Sequence, residues 1–376
     1  MKNKWNKGHI IDFFELQRGF DLTEDKTEFG QIPVITSSGI SYFHNEYKCS
    51  SPGVITGRKG KIGKVYFVTE NYWPHDTTLF VKNFKNNFPE FVKIFLENLN
   101  LEKFDEASSV PTLNRNNIHK LKCLFPPLPE QKAIADMLST WDEAIETTDR
   151  LIQAKEMRFK WLLNDMMSPG SISGEDSIDY PQYTALCKNA RKKIKLGDLE
   201  GREIKIEKGK SLSRELKIDG EIPVVAGGQT YAYFTNCYTH EMPTVTVSAS
   251  GAYAGFVWYH NYPIWASDCN ILFAIKGITK FLYFSLKAEQ HKIYSLQSGG
   301  AQPHVYSKDI KSLLIWWPPI EEQQQISETL SFTQQEIDLL KQLLEKYKTQ
   351  KRGMMQKMLT GQWRIKPEIV KLYEEA

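Results

Sequence analysis

The chain has 376 residues, 41% of them apolar and 25% charged, with a formal net charge of +3. This length exceeds one typical domain and fits two or three, the composition excludes a disordered or fibrous chain, and the charge permits a local basic face without by itself indicating nucleic acid. Five scattered cysteines (Cys49, Cys123, Cys187, Cys237, Cys269) form no Cys-x-x-Cys pair, which argues against a disulfide framework or a zinc site; with no signal-peptide core and no membrane-length apolar run, a reducing, cytoplasmic setting and no membrane partner are expected.

In chain order, strand-like runs punctuated by Gly and Pro fall at 32–35, 53–56, 64–68 and 78–81, and a helical stretch follows at 88–98. These make a first domain over 1–127. Pro126 and Pro127 then precede a long helix expected over 128–168, since proline suits a first helical turn and not an interior. Alternating steps of four and three from Ile134 reach Leu138, Trp141, Ile145, Thr148, Ile152, Lys155, Phe159, Leu162 and Met166, eight of the ten being apolar, which is the spacing of a coiled-coil seam. From Glu130 to Met167 this helix is roughly 57 Å long at 1.5 Å per residue. A linker rich in Ser, Gly, Asp and Pro occupies 169–190.

The second domain, 191–319, has strand-like runs at 224–226, 244–248, 255–259 and 271–275 and a helical stretch at 279–294. A second long helix, 320–361, carries Ile326, Leu330, Thr333, Ile337, Leu340, Leu344, Tyr347, Lys351, Met354 and Met358 at the same spacing, and 362–376 is a tail. A helix this long needs a partner for its apolar stripe. The two supply each other, and an antiparallel pair is the simplest arrangement. The fold class expected is therefore α+β: two similar mixed α/β domains separated by a pair of long antiparallel coiled-coil helices.

An internal repeat is the strongest signal. Phe125-Pro-Pro-Leu-Pro-Glu-Gln131 recurs as Trp317-Pro-Pro-Ile-Glu-Glu-Gln323, and an offset of 192 carries Ile134 to Ile326 and Met166 to Met358 without a gap. Outside the helices the order persists while the offset drifts between 190 and 192: Arg18-Gly19 with Lys208-Gly209, Ile32-Pro33-Val34 with Ile222-Pro223-Val224, Gly60 with Gly251, Trp73-x-x-Asp76 with Trp265-x-x-Asp268, and Pro111 with Pro303. One scaffold is used twice, with different side chains between the shared landmarks.

No catalytic constellation survives inspection. Gly57-Arg-Lys-Gly60-Lys-Ile-Gly63-Lys64 has the wrong spacing for a phosphate loop, with Val65 where a magnesium-holding hydroxyl belongs. Asp198 with Glu203-Ile204-Lys205 imitates a metal-nuclease pattern that the first copy lacks. The eight histidines show no ligand spacing, and neither an amino-methyltransferase Asn-Pro-Pro-Tyr or Asp-Pro-Pro-Tyr motif nor a Gly-x-Gly-x-x-Gly run occurs. No catalytic, metal or cofactor site is expected in this chain.

Pro-Pro-x-x-Glu-Gln followed by a long heptad helix, twice, each after a domain ending near Ser109-Val-Pro111-Thr112 or Gly300-Ala-Gln302-Pro303, resembles the specificity subunits of type I restriction-modification enzymes. The resemblance spans nearly the whole chain, with Val110 standing where the second copy has Gln302. It implies two target recognition domains, each reading one half of a bipartite, asymmetric DNA site, and helices that act as a ruler for the unread spacer. It further implies docking of two modification subunits, which carry S-adenosylmethionine and the methyl-transfer chemistry, and of restriction subunits.

Phosphate contacts would supply affinity and base-edge contacts specificity. Arg58, Lys59, Lys61 and Lys64 form a basic Gly-rich loop, either a phosphate contact or a merely solvated turn; Ser248, Ser250 and Tyr253 are its uncharged counterpart, open to the same two readings. Candidate base readers are Ser37 and Ser38, the loop Gly228, Gln229, Thr230 and Tyr231, together with Thr112, Gln302 and His304, each set against a local turn hydrogen bond. Tyr42, Tyr233 and Phe234 are expected in the core, and Trp141, Trp161, Trp316 and Trp317 at a helix–domain seam or a partner. Rival readings are a fused nuclease or methyltransferase with unrecognised motifs, the specificity chain of a related two-component restriction enzyme, and a coiled-coil scaffold with no nucleic-acid role.

Overall fold

The structure is a computed structural model that describes residues 5–105, 109–167, 193–212, 219–300 and 302–374. The linker expected at 169–190, with Cys187, lies outside them. The chain forms two compact units, Met1–Asp149 with Gln342–Ala376, and Arg150–Lys341. Each long helix is divided between the two, so each unit holds a globular domain together with parts of both helices.

In the first unit the chain runs through β1 (Asn6–His9), α1 (Ile10–Phe13), β2 (Glu15–Arg18), β3 (Ile32–Thr36), β4 (Gly39–His44), β5 (Gly53–Gly57), β6 (Val65–Val68), β7 (Trp73–Pro74), β8 (Thr78–Asn83), α2 (Pro89–Asn98), α3 (Arg115–His119) and β9 (Lys122–Phe125) before entering α4 (Leu128–Met167). The sheets are β2-β8-β5-β6, β4-β3-β7 and the pair β1-β9. β5 is buried at every position, as expected of a central strand covered on both faces. On one side α2 buries Phe91, Val92, Phe95 and Leu96 with Val54, Leu79 and Val81; on the other, Ile35, Ile55, Val68, Tyr72 and Phe80 fill the space toward the smaller sheet.

The second unit repeats this plan with β10 (Lys193–Lys195), α5 (Leu196–Leu199), β11 (Ile204–Lys208), β12 (Ile222–Val225), β13 (Tyr233–Thr235), β14 (Thr244–Ser248), β15 (Val257–His260), β16 (Trp265–Ala266), β17 (Cys269–Ala274), α6 (Thr279–Ala288), α7 (Gln290–Ser295), α8 (Ser307–Lys311) and β18 (Leu314–Trp316), followed by α9 (Ile320–Leu359) and α10 (Pro367–Lys371), of which α10 belongs to the first unit. Its sheets are β11-β17-β14-β15, β13-β12-β16 and β10-β18. Even the parallel pairs correspond: β3 with β7 through Val34↔Trp73, and β12 with β16 through Val224↔Trp265. The internal repeat of the sequence is thus a repeat of topology.

Each long helix spans 40 residues, or about 60 Å. All twenty stripe positions expected from the heptad spacing are buried or half-buried. Within the first unit Trp141 meets Tyr347 edge-on and Asp142 pairs with Lys351; within the second, Lys155 pairs with Glu336 at 2.7 Å and Glu156 with Lys341 at 2.6 Å. The segments run antiparallel: in the first unit Glu130 meets Arg364 just beyond α9 while Asp142, further along α4, meets Lys351, and in the second Lys155 meets Glu336 while the later Leu162, Leu163 and Met167 cluster with the earlier Ile326 and Leu330. The non-apolar stripe positions are all satisfied, since Thr148 and Thr333 donate to the carbonyls of Ala144 and Thr329, four residues back.

The repeated Gln of the Pro-Pro-x-x-Glu-Gln motif has a structural task. Gln131 is buried; its Nε2 donates to Pro126 O at 2.8 Å and its Oε1 accepts from Phe88 N at 2.8 Å. Gln323 makes the matching pair, Nε2 to Pro318 O at 2.9 Å and Oε1 from Ile278 N at 3.1 Å. The side chain clamps the start of the long helix to the start of α2 or α6. Gln131→Ala and Gln323→Ala each leave two buried backbone groups unpaired, and each is expected to cost about 2 kcal/mol, read as a lowered midpoint in urea unfolding. A loss under about 0.5 kcal/mol, the size of an ordinary surface change, would remove the clamp from the account.

Candidate nucleic-acid interface

In both domains three loops converge at one end of the larger sheet. In the first, the turn between β3 and β4 carries Ser37 and Ser38, the loop between β5 and β6 carries Arg58 to Lys64, and the segment before α3 carries Pro111 and Thr112. Thr77 ties the first two: Ser37 N donates to its Oγ1 at 3.3 Å, and its carbonyl accepts from Arg58 N and Lys59 N at 2.7 and 3.1 Å. The third joins through Gly60 N to Pro111 O at 2.9 Å and Leu113 N to Arg58 O at 2.8 Å.

The second domain repeats the joint. Gly251 N donates to Pro303 O at 3.1 Å and Val305 N to Ala249 O at 3.0 Å. The turn between β12 and β13, with Gly227 to Tyr231, lies against it: a Cβ on Gly227 would come within 2.5 Å of Ser250 O. The loop-forming glycines serve the loop itself. Gly57 has Lys61 O where a Cβ would be, at 1.9 Å, and Gly60 adopts φ +86°, a left-handed conformation that other residues adopt only with strain.

The exposed candidates are Ser38, Lys59, Lys61 and Lys64 in the first domain and Gln229, Thr230, Tyr253 and Gln302 in the second. Lys61, Lys64, Ser38 and Pro111 line a recess of about 560 Å³ shared with Tyr66, Glu102 and Asp105. Thr112 is half-buried, its N–H donating to Asp105 Oδ1 at 2.8 Å. Gly228, Tyr231 and His304 are half-buried as well, Tyr231 stacked on Trp258 at 4.9 Å and His304 bonded through its backbone to Ser298.

Four candidates face inward. Ser37, Ser248 and Ser250 are buried; Ser250 Oγ donates to Asp268 Oδ2, and Ser248 Oγ has no hydrogen-bond partner among the described residues. Arg58 is largely covered, its Nε donating to Asp76 O at 2.8 Å and its guanidinium 3.6 Å from Asp76 Oδ2. Burial pulls its affinity for the proton downward, as does the neighbouring Arg18, against the carboxylate of Asp76. The side chains of Ser250 and Arg58 hold the loops rather than present themselves to a ligand.

Other expectations are corrected. Phe234 is 51% exposed rather than in the core, because β13 lies at the edge of the smaller sheet. Tyr42 and Tyr233 are half-buried, with Tyr42 Oη donating to Leu22 O. Of the tryptophans expected at a helix–domain seam or a partner, Trp316 packs on Phe281 at such a seam, Trp141 meets Tyr347 of the other long helix, and Trp161 is 62% exposed on the side of α4 away from its stripe, which leaves it the partner alternative.

Nothing in the residue spacing marks the paired aspartates beneath the loops beyond their place as landmarks of the repeat. Asp76 binds Arg18 at 2.7 Å as well as Arg58, and Asp268 takes Ser250. Asp21, His75 and Asp76 bring three potential ligand atoms close together, a grouping that sequence spacing did not reveal. The two guanidiniums on Asp76 already neutralise it, so this group fits an ion-pair network better than a cation. The cysteines described, Cys49, Cys123, Cys237 and Cys269, are free thiols. No helix among the described residues is long and apolar enough to cross a membrane.

A family model for the type I restriction modification DNA specificity domain matches twice, over residues 2–156 and 191–349. The chain belongs to this family. Its members are specificity components of type I systems, the recognising and not the catalytic part. A protein of Mycoplasma pneumoniae described as a type I specificity subunit is 24% identical over 336 residues, covering 85% of this chain and 87% of its own. The specificity subunit of a type I restriction enzyme of Methanocaldococcus jannaschii is 22% identical over 312 residues, 73% of this chain and 70% of its own. The type I S subunit from M. genitalium shares the fold, with a TM-score of 0.68 at 18% identity over 96% of this chain and 97% of that one. A chain from a solved type I restriction-modification assembly aligns with a TM-score of 0.57 at 14% identity, over 96% and 98%.

Proposed function

We propose that each domain reads one half of a bipartite, asymmetric duplex DNA site while the long helices fix the length of the unread spacer. The observation that carries this reading is the same three-loop joint built twice on one topology, with different side chains exposed at each. Lys59, Lys61 and Lys64 supply phosphate contacts in the first domain; Gln229, Thr230, Tyr231, Tyr253, Gln302 and His304 face the duplex in the second, where amides and hydroxyls can bond base edges or phosphates. Ser38 and Thr112 complete the first surface. Two unlike surfaces read two unlike sequences, so the site is not palindromic.

The chain also docks modification subunits, two per chain, that carry S-adenosylmethionine and transfer the methyl group, with restriction subunits joining them. Met157, Trp161, Phe332 and Leu339, exposed on the long helices, are the kind of apolar contact that such a partner covers. Single-base methylation mapping of DNA from cells making this chain with its modification subunit tests the whole reading. A two-part asymmetric motif with a fixed gap is the expected result, the helices of about 60 Å fitting half-sites about one turn, roughly 34–36 Å, apart. Four residues added to each helix should lengthen the gap and leave both halves intact. A continuous or palindromic motif, or halves altered by the insertion, would count against it.

A further inference from the structure

We propose that Arg18 reads a guanine in one half-site, held in reading position by Asp76; this rests on the first domain being a DNA reader. Arg18 ends β2, pairing with Leu79 at the start of β8, and β8 in turn meets the end of β5 through Gly57↔Thr78. Its side chain therefore emerges at the same end of the sheet as the three-loop joint. It is 56% exposed, with Nη2 2.7 Å from Asp76 Oδ2, and its other side-chain donors have no protein partner among the described residues.

Asp76 is itself well anchored. Thr78 donates to His75 O through both N and Oγ1, at 2.9 and 2.6 Å, and His75 N donates to Ile35 O at 2.9 Å. A guanidinium fixed on one edge by a rigid carboxylate presents its remaining edge in a set direction. A planar fork of donors matches O6 and N7 of guanine in the major groove. The partial neutralisation by Asp76 makes Arg18 a weaker phosphate ligand than the neighbouring Lys59, Lys61 and Lys64.

The second domain shows the contrast. Lys208 stands at the corresponding place, followed by Gly209, whose Cβ would strike Ser267 O as that of Gly19 would strike His75 O. There the aspartate, Asp268, takes Ser250 instead, and Lys208 is an exposed point charge. Lysine suits phosphate and lacks the fork. The two copies thus differ at this place in kind: a pinned reader in one, an exposed lysine in the other.

The test uses the full complex of this chain with its modification subunit, with methylation mapped at single-base resolution. The wild type should give a motif with a G·C pair in one half that Arg18→Gln relaxes, by roughly tenfold to a hundredfold in discrimination, leaving the other half and the gap unchanged. Arg18→Lys, which keeps the charge, and Asp76→Asn, which releases the guanidinium, should relax the same position. A motif unchanged in all three variants overturns the proposal, and so does a uniform loss of methylation with the motif intact, which marks a phosphate contact. Failure of the wild type to give any two-part motif overturns instead the reading of the domains as half-site readers.

Discussion

Replacing Arg364 by Ala is expected to destabilise the first unit by about 3 kcal/mol, read as a lower midpoint of its transition in urea. Glu130 lies in the first turn of α4 with its side chain only 3% exposed. Arg364 grips it with two parallel bonds, Nε to Oε1 and Nη2 to Oε2, both 2.6 Å. Trp5 Nε1 donates to Oε2 at 3.0 Å, and the guanidinium lies over the Trp5 ring at 5.2 Å. Removing the arginine strands a buried carboxylate, and the cost of such a charge exceeds the net worth of the pair it came from. Because Arg364 is 41% exposed, water reaches that side and the lower end of the range applies. The segment after α9 is fastened by the same contact, Leu359 and Ile365 joining the core of the first domain. Glu130→Gln with Arg364→Met removes both charges and should recover part of the loss. A single variant as stable as the parent would place the anchoring of this segment in its apolar contacts alone.

The long helices were legible because their signal is local and repeated: every stripe position falls in the seam or against a domain, and α4 begins at Leu128, where the helix was expected. The strands at 53–57 and 244–248 were equally plain, being short apolar or β-branched runs between turns. β7 and β16 were not, since two residues carry no periodicity and their pairing depends on β3 and β12 far away in sequence. The pairs β1-β9 and β10-β18 join the two ends of each domain, a closure no window of sequence contains.

The candidate site divides along the same line. Which loops correspond between the two copies could be read from the repeat, and the bonds of Gly60 to Pro111 and of Gly251 to Pro303 recur with them. Which side chains point outward could not. Serine in a turn normally reads as exposed, yet Ser37, Ser248 and Ser250 are buried by neighbours from other loops. Arg58 looked like the natural partner of Lys59 until Asp76 claimed it. Arg18 passed as a landmark of the repeat because its meaning lies in an aspartate 58 residues away.

The second large effect is acid sensitivity of the second unit. His260 is fully buried on β15, with Nε2 2.9 Å from Thr246 Oγ1 and Nδ1 3.4 Å from Tyr262 Oη, which lies 2.5 Å from Tyr231 Oη. Burial pushes its pKa down to about 4, so the folded ring stays neutral where the unfolded one, near 6.5, takes up a proton. Between those values the unfolded chain holds the extra proton, and stability falls as pH falls. The loss runs at about 1.4 kcal/mol per unit and totals about 3 kcal/mol by pH 4, while above pH 6.5 His260 adds no slope. In the first unit the corresponding place, opposite the start of β5, is Val68, inside an apolar cluster. Because Tyr231 belongs to the loop proposed to face DNA, the network that titrates also holds that loop. Urea unfolding at pH 7.5, 6 and 5 should show the second unit of the wild type weakening faster than that of His260→Gln, which keeps a hydrogen-bonding side chain without a titratable ring. If both lose stability in parallel, the acid sensitivity arises elsewhere, and the buried histidine is a packing element with no part in it.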